Sequence, residues 1–407
     1  MERMVSVLGL LVILGIAWSL SSDRRRINWR LVILGTALQL VFALLILRTA
    51  GGQRVFDVVG DAVTGFLDLA DRGSMFIFGD DFRDHFLAFK VLPTIIFFSS
   101  FITVLYYLGV MQWVVRAFAW VMMRVLRTSG AESLSAAANI FVGQTEAPLL
   151  IRPYVKTMTR SELMAVMTGG FATIAGGVMA AYVGMLSGRF PDIAGHLLAA
   201  SVMSAPAAMV MAKLIVPETE QSLTAGTVRV QAERPWANVI DAAAEGATAG
   251  LYLALNVAAM LLAFLGLLAV MNAALGWLGG FVGVPELTLE SILGQILRPL
   301  AWVMGAPWAE ADEVGALIGI KTGANEFVAY TEMARMVEAG QLSERSQVIA
   351  TYALCGFSNF SSIAIQIGGI GGLAPERKPE LARLGLRAMV AGSLACFQTA
   401  TIAGMLL

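Results

Sequence analysis

Histidine and cysteine are almost missing: two of each occur in 407 residues. Cys355 and Cys396 both stand in apolar surroundings, so they read as small buried hydrophobes and not as a disulfide or a metal pair. His85 and His196 are far apart and match no metal-ligand spacing, so neither a metal centre nor an organic cofactor is expected. Charge is also scarce. Asp, Glu, Lys and Arg make up 14% of the chain and its formal net charge is −1. That leaves no basic footprint for nucleic acid, and too little charge to cover a soluble domain. No nucleophile stands with a base or a metal set, so the chain does not read as an enzyme.

What is abundant is apolar sequence. Hydrophobic residues make up 57% of the chain, and the mean hydropathy is +0.74. Long apolar runs recur at Val5 to Leu20, Leu31 to Leu47, Leu92 to Val110, Leu163 to Leu186, Leu251 to Leu275 and Ala388 to Leu407. Each approaches the ~17–25 residues that a helix needs to cross the hydrocarbon core. The chain reads as an all-α polytopic membrane protein. Its first run is not a cleaved signal, because "SSDRRRINWR" places the positive charge after the run. Arg24, Arg25, Arg26 and Arg30 hold that loop inside and put the N-terminus outside. The Asp-rich stretch from Gly51 to Lys90 suits the outer side. Arg116, Arg124, Arg127, Arg152, Lys156 and Arg160 mark an inner side, as do Arg377, Lys378, Arg383 and Arg387, and the C-terminus is then outside. Pro217 to Asp241 mixes signs and gives no direction.

Several segments enter the apolar phase without being able to cross it. Trp113 to Ser129 sets three arginines among aromatic and aliphatic residues, as an interfacial helix does. Leu287 to Gly305 is expected to lie similarly on the outer surface, bent at Pro299. Each is followed by a stretch too polar for a single lipid-facing helix: Leu134 to Val155, with "GQTEAP", and Val314 to Met336, with Lys321, Asn325 and Glu326. Both read as re-entrant hairpins, since irregular backbone at membrane depth needs protein or water around it. Next come two interrupted spans, one with Gly169, Gly170, Gly176 and Gly177, the other with Gly356, Ser358, Asn359, Ser361 and Ser362. Close helix packing also explains the first glycine set. The order of surface helix, hairpin, broken helix and span occurs twice with opposite entry sides, the pattern of an inverted repeat whose sites lie at the midplane. It divides the chain into N-terminal scaffold spans (1–112), a first transport repeat (113–215), a cytoplasmic loop with a scaffold span (216–286) and a second transport repeat (287–407).

"GQTEAPLLIRPYV", "GANEFVAY" and "CGFSNFSSIAIQIGGIGGLAPERK" resemble the signature segments of the concentrative nucleoside transporters, in order and over nearly the whole chain. The length matches the bacterial members. The resemblance implies about eight transmembrane helices, two re-entrant hairpins, a homotrimer and an inner-membrane location. It also implies uptake of nucleosides driven by a cation, with a transport domain moving past a scaffold. Residue by residue, it implies Gln144, Thr145 and Val178 near the nucleobase with Glu146 beside them, and Glu326, Asn359 and Ser362 around the ribose with Phe357 lining the pocket. It further implies a sodium site made by the Asn139 and Thr173 side chains and the Val142 and Ile174 carbonyls. At Thr173 the family pattern has serine.

The residue types suit that task. An amide such as Gln144 offers donors and an acceptor to a base edge. An ionised carboxylate only accepts, and sugar hydroxyls donate, so Glu326 fits a ribose clamp. Sodium prefers oxygen ligands, which an unwound helix supplies without formal charge. Alternatives stay open at this level. Glu146 or Glu326 could titrate in a proton-coupled carrier, or Glu326 could simply pair with Lys321, five residues earlier. A polar-solute channel would carry similar hairpins.

Overall fold

The structure is a computed structural model that describes residues 2–85, 87–225, 236–281, 283–284 and 286–407. Residues 226–235, in the middle of the mixed-charge stretch, lie outside the described residues. Among the described residues regular structure is helical, with one isolated antiparallel bridge between Ser129 and Ala225.

The first two apolar runs form α1 (Glu2–Ser19) and α2 (Trp29–Arg48). Between them Asp23 accepts from the Arg25 amide, and the Asn28 side chain caps α2 through the Leu31 amide. The acidic stretch that follows contains two further helices, α3 (Ala50–Leu67) and α4 (Ala70–Phe78). Lys90 pins the end of this region by pairing with Asp68 at 3.1 Å and Asp71 at 3.3 Å, and Arg83 meets Asp71 at 2.9 Å. Then α5 (Leu92–Leu108) turns at Gly109, φ 85°, into α6 (Val110–Leu126). Along α6 the buried residues Met111, Val115, Ala119, Met122 and Leu126 recur at three- and four-residue spacing, while Trp113, Arg116, Trp120 and Arg124 are exposed. One face therefore packs on the protein and the other is free for an interface.

Two successions of elements follow the same order. In the first, α7 (Gly130–Ala138) ends in an irregular turn that returns through a 3₁₀ segment (Ala147–Ile151) and α8 (Arg152–Val155). A helix then starts as α9 (Arg160–Ala172), stops, and restarts as α10 (Gly176–Leu186), before α11 (Ile193–Ile215). The long α12 (Val239–Phe281) separates the two successions. In the second, α13 (Leu289–Met304) runs unbroken through Pro299. It leads to α14 (Ala311–Gly323), a short turn and α15 (Glu326–Glu338). The next helix is again split, into α16 (Glu344–Leu354) and α17 (Phe360–Leu373), and α18 (Lys378–Leu406) closes the chain.

Among the described residues, seven stretches are long and apolar enough to cross a membrane, and their burial divides them. The windows in Arg160–Leu186 and Ile193–Ile215 are 89% buried, and that in Pro375–Leu406 is 78% buried; the window in α12 is only 11% buried. Hence α9, α10, α11 and α18 form a packed interior, with α12 at the periphery against α5. At 43 residues α12 spans roughly 64 Å, about twice the hydrocarbon thickness. Small residues seat it: a Cβ on Gly250 would stand 2.7 Å from the Ile96 Cα, and one on Gly246 would stand 2.6 Å from the Thr103 hydroxyl.

The two helix interruptions meet in the interior. Gly356, φ 155°, sits in the second break, and a Cβ there would lie 2.6 Å from the Phe171 carbonyl at the end of α9. The Cys396 thiol, on α18, donates to the Cys355 carbonyl at 3.0 Å. Both cysteines are free and buried.

Candidate functional site

The second break opens where the following half-helix needs a cap. Asn359 precedes α17 in extended backbone, and its Oδ1 accepts from the Ser362 amide at 2.9 Å and the Ser361 hydroxyl at 2.7 Å. This is an ordinary N-cap for a polar residue in such a place. Its other amide atom is then free to act elsewhere: Nδ2 donates to Glu326 Oε2 at 2.8 Å. Glu326 is the first residue of α15, whose own N-cap is Asn325, with Oδ1 accepting from the Val328 amide at 2.9 Å. The carboxylate is 6% exposed and also accepts from the Tyr182 hydroxyl at 3.4 Å. Tyr182 stacks on Tyr330 with ring centroids 4.1 Å apart.

The first turn joins the same group. Gln144 donates through Nε2 to the Ser362 hydroxyl at 3.2 Å, and its Oε1 accepts from Gln366 Nε2 at 3.0 Å. Gln366 also reaches the Met167 carbonyl at 3.1 Å, which ties the turn to α9. Gly170 makes room for this: a Cβ there would be 2.8 Å from the Gln144 Cβ and 2.9 Å from Gln366 Nε2. Thr145 lies against Gly369 of α17. Gln144, Ser362, Asn359 and Glu326 thus form one buried chain of donors and acceptors drawn from both successions of elements.

Glu146 is placed differently. It is exposed, folds over Gly143, and makes no hydrogen bond to that chain among the described residues; instead it lines a cavity of about 360 Å³ with Tyr106, Arg152 and Trp236. Val178 is buried one turn before Tyr182 on α10. Phe357 is half-buried within the second break, where its carbonyl accepts from the Asn359 amide at 2.9 Å. Lys321 does not pair with Glu326 among the described residues; its Nζ donates to the Ala353 carbonyl at 2.9 Å.

Of the residues expected to hold a cation, Asn139 and Thr173 both lie against Gly169 of α9. Asn139, 1% exposed, ends α7 with both side-chain amide atoms lacking a hydrogen-bond partner. An unsatisfied buried amide is costly, on the order of 1–3 kcal/mol, unless something else meets it. It lies beside α9, 3.4 Å from where a Gly169 Cβ would stand. Thr173, the first residue of the break, donates its hydroxyl proton to the Gly169 carbonyl at 2.9 Å and keeps its lone pairs free. The Val142 carbonyl in the turn and the Ile174 carbonyl in the break accept no backbone bond among the described residues. These are neutral oxygen donors, and such a set suits a hard monovalent cation.

Tyr182 and Gln366 are the members of the cluster that the sequence reading passed over. Both had a signal: each is four residues beyond an expected site residue on the same helix face, Tyr182 after Val178 and Gln366 after Ser362.

Comparison with known proteins follows this geometry. The model of the Na+ dependent nucleoside transporter N-terminus matches residues 8–81, that of nucleoside recognition matches 88–189, and that of the Na+ dependent nucleoside transporter C-terminus matches 196–404. The chain is 48% identical to an uncharacterized transporter of Haemophilus influenzae, over 100% of this chain and 98% of the other. It is 45% identical to solute carrier family 28 member 3 of Eptatretus stoutii and 43% identical to sodium/nucleoside cotransporter 1 of Mus musculus. Both matches cover 100% of this chain, but 61% and 64% of those proteins, so the chain spans about three fifths of the length of these relatives. Among solved structures, CNTnw in an inward-facing substrate-bound state matches with a TM-score of 0.92 at 44% identity, covering 100% of this chain and 98% of the other. A CNTnw variant in an outward-facing state matches with a TM-score of 0.94 at 44% identity, over the same shares of both chains.

Proposed function

The chain belongs to the Na+ dependent nucleoside transporter family, and from that premise we propose that it is a secondary active transporter which takes up nucleosides by symport with sodium. The observation that carries the proposal is the buried chain from Gln144 through Ser362 and Asn359 to Glu326. One end offers an amide that can pair with a base edge; the other offers a carboxylate that ribose hydroxyls can donate to. Asn359 and Ser362 meet the remaining sugar groups. Thr145 and Val178 border the base, Phe357 lines the pocket, and Glu146 borders the route by which the solute arrives or leaves.

Sodium is the co-transported ion, held by the Asn139 and Thr173 side chains and the Val142 and Ile174 carbonyls. Val142 and Gln144 are two residues apart on one turn, so fixing the turn for the ion also positions Gln144 for the base. Coupling between the two cargoes follows, and it is reciprocal: nucleoside tightens sodium as sodium tightens nucleoside.

In this reading α7 with its returning segment, and α14 with α15, are re-entrant hairpins related by an inverted repeat. The transport domain comprises residues 113–215 and 287–407, and residues 1–112 and 216–286 supply the scaffold. The buried interior of α9, α10, α11 and α18 gives the transport domain a core of its own, as a body that slides as a unit needs. The protein is placed in the inner membrane as a homotrimer with both termini outside.

The test is uptake of labelled uridine into proteoliposomes, with sodium and proton gradients imposed separately. Concentrative uptake with the sodium gradient alone supports symport. Uptake with only the proton gradient, or mere equilibration, would replace it with the proton-coupled or channel reading.

A further inference from the structure

Lys321 is a buried ammonium without a carboxylate partner among the described residues. It is 1% exposed and forms no ion pair there; its Nζ donates to the Ala353 carbonyl at 2.9 Å. Ala353 lies in the last turn of α16, where backbone carbonyls lose their helical donors. The Cys396 thiol donates to the Cys355 carbonyl, just beyond the end of α16. Glu326, the acidic residue nearest to it in sequence, is engaged by Asn359 and Tyr182. An unpaired buried cation is costly, so its location calls for a reason beyond packing.

The first succession of elements supplies one. There the entering helix α7 packs on the half-helix α9, and the residue ending α7 is Asn139, whose amide faces α9 with no partner. In the second succession the entering helix α14 packs on the half-helix α16, and the residue near its end is Lys321. At corresponding places the chain thus has, once, neutral oxygens awaiting a cation and, once, a cation already attached. Both meet the negative end of a half-helix.

We propose that the Lys321 ammonium is a built-in cation that occupies, in the second half, the position the first half leaves for sodium. Lys321 is a positioning residue: it holds the C-terminal end of α16, and with it the break that carries Asn359, in place without an exchangeable ion. One sodium, and not two, is then bound between these elements. This inference rests on the reading of the first break as the sodium site.

The test replaces the fixed cation by the neutral residue of the first half. Purified Lys321→Asn and wild type are melted with and without sodium chloride, choline chloride being the control. In the wild type sodium raises Tm through one site. In Lys321→Asn, which has lost its own cation, the sodium-induced rise exceeds the wild-type rise by about 2 °C or more. A rise no larger than in the wild type would overturn the proposal. Lys321→Met, similar in length but neutral, is expected to take up uridine at least about ten-fold more slowly, while Lys321→Arg retains most of the uptake. If Lys321→Asn does not assemble, these two decide: wild-type uptake with methionine, or equal losses with methionine and arginine, would remove the role of the charge. A wild type that shows neither a sodium shift nor sodium-dependent uptake would instead refute the transporter reading.

Discussion

Replacing Glu326 by glutamine tests the ribose clamp with little change of shape. The carboxylate is 6% exposed, accepts from Asn359 Nδ2 at 2.8 Å, and lies 3.4 Å from the Tyr182 hydroxyl. Asn359 cannot turn to suit the new amide, because its Oδ1 already accepts from the Ser362 amide and the Ser361 hydroxyl. The glutamine oxygen must therefore face Asn359, and its NH₂ must face Tyr182, whose hydroxyl can rotate to accept. The local structure survives this exchange, and Tm should hardly move. Binding should not survive so well. A hydrogen bond to a charged group contributes about 1.5–3 kcal/mol, against ~0.5–1.5 kcal/mol for a neutral one. With two sugar hydroxyls donating, the loss is on the order of 2–3 kcal/mol, or roughly 30- to 150-fold in affinity. Equilibrium binding of labelled uridine to purified Glu326→Gln at saturating sodium measures this directly, with the melting curve as the check on folding. An affinity within about threefold of wild type, a change below ~0.7 kcal/mol, would refute the clamp.

Asn139→Ala should raise the sodium concentration needed for half-maximal uptake while leaving uridine affinity at saturating sodium nearly unchanged; an unaltered sodium response would remove Asn139 from the ion site. Substituting Gln144 by leucine should alter the ranking among competing nucleosides in uptake assays, whereas an equal loss for every base would assign it a structural role. Gly170→Ala places a methyl group 2.8 Å from the Gln144 Cβ, so uptake of labelled uridine should fall. Lys213→Met leaves Glu132, 2.7 Å from the ammonium in the native chain, buried and unpaired. A stability loss of about 3–5 kcal/mol is expected, visible as a lowered Tm.

Residue types revealed the order of elements better than their limits. Apolar runs marked α1, α2 and α5 because membrane-facing helices need little else, and marked the final helix because its buried side chains are largely apolar too. They undersized α12, whose described extent starts at Val239, since the polar residues of its first turns do not lower its tendency to be helical. Run length alone did not mark α11, which the repeated order of elements called for before residue 215, because His196, Pro206 and Lys213 interrupt the run; all three are buried within the protein, and lipid never has to solvate them. In α3 and α4, acidic residues indicated a side of the membrane but not a conformation. The glycines near the first break fitted either a break or close helix packing. In the structure Gly169 and Gly170 belong to α9 itself, and the helix stops three residues later. Their absence of a side chain instead admits Asn139 and Gln144. Gln144, Glu326, Asn359 and Ser362, all carried by the long motifs, are brought together by the fold. Tyr182 and Gln366 had only their four-residue spacing from Val178 and Ser362 to mark them, because each is a single polar group in an apolar helix.

In the proposed transporter, with Glu326 as the ribose clamp, the arrangement of charge around the two breaks explains why a salt bridge between Lys321 and Glu326 would defeat the site. Glu326 opens α15, where backbone N–H groups lack acceptors, and it meets the capping residue of α17. Its negative charge is thus compensated by two helix N-termini and an amide, none of which covers the carboxylate completely. Lys321 stands at the opposite pole, on the carbonyls that end α16. Had the two joined, the ammonium would occupy the lone pairs to which hydroxyl groups must donate, and a neutral solute would have to displace a buried ion pair before it could bind. Keeping each charge on a helix end of opposite sign leaves the carboxylate available to a donor that comes and goes. It also fixes α16 with a cation that cannot leave. The same logic predicts that bringing a positive charge to the carboxylate, for example by Tyr182→Lys, abolishes uridine binding even if the variant folds. Binding retained in that variant would show that the ribose is held elsewhere.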